Sequence, residues 1–188
     1  INIVNKMSIQ QFCETLSNGN QNLNDKLMSF SKHFVMGTLN VPLTHIYGSG
    51  NDGKTTLVHY LMKLAALNNL KSVRLTYIDE YTKQQLVDDN VKYVIMEEMD
   101  DDTLKKISGF IKELEGDHNM NFVMVSNYAL DKSNFDDGFL RRKKMIHLTG
   151  NLKNITKDPE MSSKLLDNNN ANFHFLSNYS DCNNSINF

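Results

Sequence analysis

The chain of 188 residues is poor in the features that would place it in several large classes. It has only two cysteines, Cys13 and Cys182, too few for a disulfide framework or a four-cysteine zinc site, so a reducing compartment is the simpler expectation. It has no apolar run near the roughly eighteen residues that a spanning helix needs, which excludes an integral membrane protein of that kind and argues against a membrane partner. No charged n-region and apolar h-region mark a secretory signal. The first residue is Ile1, and the chain is expected to be a piece of something larger. Charge of one sign is also lacking. A net charge of −2 gives no overall basic footprint and argues against whole-surface nucleic-acid binding, although a locally basic channel stays open. No internal repeat occurs.

What is present is the composition of a folded globular protein, 40% hydrophobic and 22% charged, long enough for one good core. The first forty residues read as helical. Ser8 and Gln11 have capping-box spacing, and Ile9, Phe12, Cys13 and Leu16 fall on one face before Asn18-Gly19. Leu23, Leu27, Phe30 and Phe34 predict a second helix stopped near Gly37. From Pro42 the rhythm changes, and short apolar runs alternate with helical stretches, the pattern of an α/β fold with a mostly parallel sheet. Five strands are expected near Leu43–Tyr47, Ser72–Tyr77, Lys92–Met96, Phe122–Val125 and Met145–Leu148. A helix is expected over 54–67. Another carries the stripe Leu104, Ile107, Ile111 and Leu114, with Gly116 placed to end it. The expected division is a helical flank (1–40), forming part of an oligomerisation segment, then a core (41–150) and an asparagine-rich polar tail (151–188). Eight of residues 168–188 are asparagine, and the tail is expected to be irregular yet partly docked through Phe173, Phe175, Leu176, Tyr179 and Phe188.

The strongest local signal is Gly48-Ser49-Gly50-Asn51-Asp52-Gly53-Lys54-Thr55, a full match to the phosphate-binding loop G-x-x-x-x-G-K-[ST] between a predicted strand and a predicted helix. The glycines let backbone N–H groups converge on phosphate oxygens, and the helix N-terminus adds partial positive charge. Lys54 would reach the β- and γ-phosphates and the Thr55 hydroxyl would bind Mg²⁺, so residues Gly48 to Thr55, with Thr56 behind them, are the expected ATP cradle. The apolar run from Val91 ends in Glu97-Glu98, placing two carboxylates where open parallel sheets bind ligands. Glu97 is assigned to the metal, and Glu98 to polarising the attacking water. Asp100, Asp101 and Asp102 read as the N-cap and first turn of the next helix. A further apolar run ends in Ser126-Asn127, whose carboxamide can touch both the γ-phosphate and the attacking water. Arg141 and Arg142 follow. Either can reach a neighbouring subunit's γ-phosphate if subunits form a ring, and the planar guanidinium stays protonated for that role.

Taken together, GSGNDGKT, VIMEE, FVMVSN and FLRR, all between residues 48 and 142, resemble the superfamily 3 helicases of small DNA viruses, ring-forming ATPases of the AAA+ class. The paired glutamates are similar to those of the parvovirus nonstructural replication proteins. The resemblance implies a P-loop core of AAA+ type that hydrolyses ATP with Mg²⁺. It also implies a homo-oligomeric ring, usually hexameric, that moves on single-stranded DNA during replication, and an intracellular location, the host nucleus for a parvovirus-like source. The DNA-gripping hairpin that the family places before its third motif has only a short turn available over 112–121, with Lys112 or His118 as pore contacts. A nicking-endonuclease signature, His-x-His with a downstream tyrosine, is not found in this chain. Two alternatives stay open. Ser126-Asn127-Tyr128-Ala129-Leu130 is also similar to the picornavirus replication ATPases, although those carry paired aspartates and an amphipathic membrane helix. A nucleotide-regulated assembly protein with little turnover is the other; a small-molecule kinase would not need Asn127 and the arginines in this order.

Overall fold

Ser8 and Gln11 cap the first helix reciprocally: Ser8 Oγ accepts from Gln11 N and Gln11 Oε1 from Ser8 N, both at 3.0 Å. In this computed structural model, which describes residues 6–149 and 159–181, that helix is α1 (Ile9–Ser17), and Asn18 ends it in the left-handed conformation. Gly150, Cys182 and Phe188 lie outside the described residues. Helix α2 (Gln21–Met36) starts at Asn20, whose side chain accepts from Leu23 N, and stops at Gly37 with φ 74°. The glycine takes a left-handed geometry that strains other residues.

Five strands follow as expected, β1 (Leu43–Gly48), β2 (Ser72–Leu75), β3 (Tyr93–Glu97), β4 (Asn121–Ser126) and β5 (Lys143–Leu148). Their order across the sheet is β2-β3-β4-β1-β5, and every pairing is parallel, more uniform than the mostly parallel sheet expected. Parallel strands need crossovers that cover both faces, which is why β1, β3 and β4 are near-continuous apolar runs. One face, carrying Ile46, Tyr93, Ile95, Val123, Val125 and Ile146, packs on α1, α2, α3 (Lys54–Leu67), α7 (Met161–Leu166) and α8 (Asn169–Asn178). The other face, carrying Leu43, Val94, Met96, Phe122 and Met124, packs on α4 (Glu80–Asp88), α5 (Asp101–His118) and α6 (Asp137–Arg141). Each large apolar side chain fully buried this way contributes about 1.5–3 kcal/mol. The α2 helix is fixed to the sheet by a stacked pair, Phe34 and Tyr93, with ring centroids 4.0 Å apart, and by the Tyr93 hydroxyl donating to Phe34 O at 2.7 Å.

One helix was not foreseen and two expectations need correction. Helix α4 lacks a wide apolar stripe, since only Leu86 is buried; Asp79 starts it by accepting from Thr82 N. Helix α5 runs through Gly116 to His118 and ends at Asn119, φ 52°. Gly116 faces open space, so it sits in the helix at only its intrinsic cost of about 1 kcal/mol. The described part of the tail is not irregular: it forms α7 and α8. Leu165 and Leu176 are fully buried there, Phe173 and Tyr179 pack partly against the same core, and Phe175 stays exposed. Asn172 latches α8 in place, accepting from Ile9 N at 2.9 Å and donating to Met7 O at 3.2 Å and to the Tyr60 hydroxyl at 2.7 Å.

Candidate functional site

The loop after β1 turns through two left-handed residues, Asn51 (φ 64°) and Gly53 (φ 82°), before Lys54 opens α3. Such a path points successive N–H groups into one concavity at the positive end of a helix, the arrangement that binds phosphate. Gly48 is needed for space: a Cβ there would lie 2.3 Å from Asp52 Oδ2 and 2.8 Å from Leu148 O. Lys54 is only 4% exposed. Its Nζ donates to Asp52 Oδ1 at 3.0 Å and to Ser49 O at 3.3 Å. Thr55 is exposed and Thr56 half-buried in the first turn of α3, leaving the Thr55 hydroxyl accessible to a ligand.

Because β4 lies between β1 and β3, its C-terminal end stands beside the phosphate loop. Asn127 follows that end, and a Cβ on Gly50 would meet the Asn127 carboxamide oxygen at 3.8 Å. The Asn127 turn is tied down from both sides. The Ser126 hydroxyl donates to Tyr128 O at 2.6 Å, and the Tyr128 hydroxyl donates to Met99 O, joining this turn to the one that carries Glu98. Glu98 N also donates to Val125 O at 3.1 Å.

Glu98 itself is exposed and adopts φ 52°. A left-handed glutamate stores backbone strain of order 1–3 kcal/mol, a feature that clusters at functional sites. Glu97 alternates onto the α3 face of the sheet with Tyr93 and Ile95. There it is 17% exposed, with Oε1 2.7 Å from His59 Nε2 and Oε2 accepting from Arg74 Nη2 at 2.6 Å and Nε at 2.9 Å. His59 and Arg74 were not among the expected site residues. The signals for them were faint: His59 stands one helical turn after Thr55, and Arg74 is a lone cation in the apolar strand β2.

Beneath the Asn127 turn lies a buried polar contact between neighbouring strands, His45 Nε2 to Ser126 Oγ at 2.7 Å. Since the Ser126 hydrogen is used on Tyr128 O, the histidine donates through Nε2 and carries no proton on Nδ1, which is buried without a partner. Burial, reinforced by the charge of Lys143, pushes the His45 pKa down from 6.5 to about 4.

The two arginines differ. Arg142 is engaged within the chain, with Nε 3.4 Å from Glu115 Oε2 and Nη1 donating to Gly138 O at 2.9 Å. Arg141, the last residue of α6, is exposed and makes no ion pair among the described residues. The pore candidates are not brought into a hairpin. Lys112 and His118 both lie within α5, which passes through Asn119 and Met120 directly into β4, and Lys112 is paired with Asp136 at 2.7 Å. The α5 apolar stripe continues to Leu114, so helix packing overrides the turn expected there.

No cluster of three His, Cys, Asp or Glu side chains able to hold a metal occurs among the described residues. A magnesium ion on a phosphate loop needs none, because it takes a hydroxyl, phosphate oxygens and water. The residues here fit that use: Thr55 offers the hydroxyl, and Glu97, at the end of β3 beyond β4, offers a carboxylate beside His59, one turn of α3 after Thr55.

No protein-family model and no curated protein matches the chain. Among solved structures it is similar to the NrS-1 C-terminal region, at 15% identity and a TM-score of 0.62 over 97% of this chain. It is also similar to DnaI, at 17% identity and a TM-score of 0.50, over 72% of this chain and 88% of that one. The chain spans 48% of the NrS-1 chain it resembles. At these identities the likeness is one of fold. That fold is the α/β P-loop fold of AAA+ type. Such open parallel sheets bind ligands beyond the C-terminal ends of their strands, where Lys54, Glu97, Glu98 and Asn127 are gathered.

Proposed function

We propose that this chain is the ATP-hydrolysing motor of a superfamily 3-type DNA helicase, acting as a ring of identical subunits on single-stranded DNA. The observation that carries the reading is the meeting of three separated sequence motifs at the C-terminal ends of adjoining strands: Asn127 against Gly50 of the phosphate loop, with the Glu98 turn bonded to the Asn127 turn. A phosphate loop alone would serve any nucleotide enzyme. An amide and a carboxylate set on linked turns beside it suit a water attacking the terminal phosphate.

In this reading Lys54 anchors the phosphates, and Glu98 accepts the proton of the attacking water while Asn127 orients it. Thr55 and Glu97 would hold magnesium, which when bound neutralises charge on the phosphate oxygens. Arg74 and His59 hold the Glu97 carboxylate in the orientation from which it would serve the ion. Arg141 serves the adjacent subunit of the ring, because Arg142 is committed to Glu115 and Gly138. Steady-state ATP turnover measured with single-stranded DNA, with single-stranded RNA and with neither tests the assignment. Stimulation by DNA is expected. Stimulation by RNA alone would favour a replication ATPase of picornavirus type, and nucleotide binding without turnover would favour the assembly protein.

A further inference from the structure

Asp52 occupies an unusual place for a carboxylate. It is 2% exposed inside the loop that is to receive phosphate, between Gly48 and Lys54. Oδ1 accepts from Lys54 Nζ at 3.0 Å and from Lys54 N at 3.3 Å. Oδ2 is buried with no hydrogen-bond partner, and it lies so close over Gly48 that a Cβ there would come within 2.3 Å. A buried anionic oxygen left unpaired is costly, and it persists here because the other oxygen is held by a buried cation. The carboxylate thus uses the Lys54 side chain and backbone N–H, the donors that a phosphate oxygen needs.

We propose that Asp52 is an internal counter-anion of the phosphate loop that an incoming nucleotide phosphate must displace, so that this residue sets affinity and selects polyphosphates, which add contacts along the loop, over single phosphate groups. The inference rests on the reading of this loop as a nucleotide site. Displacement is feasible because the exchange is uneven. A phosphate group brings more acceptor oxygens and more charge to Lys54 than one carboxylate oxygen does. Asp52, once released, regains water on the Oδ2 that the folded loop leaves unsatisfied. Inorganic phosphate can make the same exchange at Lys54 but has no second phosphate group or nucleoside to add contacts along the loop, so it binds too weakly to displace the carboxylate. Asn51, exposed beside it with φ 64°, and Gly53 with φ 82° supply the two left-handed positions about which the Asp52 backbone can turn outwards.

The test is calorimetric titration of the chain with Mg-ADP and, separately, with inorganic phosphate, comparing wild type, Asp52→Asn, Asp52→Ser and Lys54→Ala. Asparagine keeps an acceptor for Lys54 N and removes the charge, with an NH2 group in place of Oδ2; serine keeps a shorter acceptor in case the amide variant does not fold. The expected result is Mg-ADP binding about tenfold tighter in the Asp52 variants, with measurable phosphate binding gained. Melting without ligand should move the opposite way, to lower temperature, because Lys54 loses its buried partner, while the ligand-induced rise in melting temperature grows. Folded Asp52 variants that bind Mg-ADP no more tightly than wild type, with binding still lost in Lys54→Ala, would overturn the counter-anion and leave the nucleotide site standing. Failure of wild type and Asp52 variants alike to bind Mg-ADP would overturn both.

Discussion

At the scale of single residues, several groups are held in conformations or ionisation states they would not choose in water. Glu98 is the clearest, a left-handed glutamate on a turn bonded to the Asn127 turn. Glu98→Gln keeps size and turn geometry while removing the base, so ATP binding should persist while turnover falls by about 10²–10⁴. Turnover near wild type in a variant that binds ATP normally would remove Glu98 from the chemistry. His45 makes a separate prediction. Its pKa is about 4 in the fold against 6.5 for the free side chain, so between these values the unfolded chain binds more protons than the native one. Stability is therefore complete above about pH 6.5 and is lost as pH falls towards 4, by roughly 3 kcal/mol. Denaturant unfolding at a series of pH values should show this slope, and His45→Gln should flatten it.

At the scale of elements, the strands and the phosphate-loop helix were legible because their burial is. Strands β1, β3 and β4 are covered on both faces and read as apolar runs, and α3 occupies the span from Lys54 to Leu67 that its pattern predicts. Where burial rests on one or two side chains, the pattern fails. Helix α4 buries only Leu86, and α8 hides behind an asparagine-rich composition although Asn172 is 1% exposed and fully engaged. The site divides in the same way. Lys54, Glu98 and Asn127 were visible as motif positions, whereas the pairing of Lys54 with Asp52 and of Glu97 with Arg74 and His59 depends on contacts that no linear pattern contains. Asn172 offers a test at this scale. Asn172→Ala leaves the buried Ile9 N–H without its partner and takes one of two donors from Met7 O, which keeps Asn168, and should cost about 1–3 kcal/mol in denaturant unfolding. A loss below about 0.5 kcal/mol would mean that α8 is not latched through this residue.

At the scale of the whole molecule, the sheet order places β4 between β1 and β3, so that three motifs distant in sequence share the C-terminal end of the sheet, while α6 presents Arg141 outwards. A ring would set that arginine against the next subunit's phosphates. Mixing Arg141→Ala subunits with Lys54→Ala subunits should restore part of the turnover that each lacks alone, because some interfaces then pair an intact loop with an intact arginine; Arg142→Ala should lower activity far less. Loss of turnover by about 10³-fold in Arg141→Ala alone is the scale such an arginine commands. No recovered turnover in any such mixture would place the arginine in its own subunit's site, and full turnover in Arg141→Ala alone would place it outside the chemistry.

The measurement that bears most directly on the central claim is steady-state ATP hydrolysis by the wild-type chain with single-stranded DNA, beside Lys54→Ala prepared identically. Magnesium-dependent turnover should rise with DNA and fall to background in Lys54→Ala, since that variant loses charge-assisted bonds to phosphate worth about 1.5–3 kcal/mol each. Equal turnover in the two proteins would contradict that claim, because the hydrolysis would then owe nothing to the loop between β1 and α3.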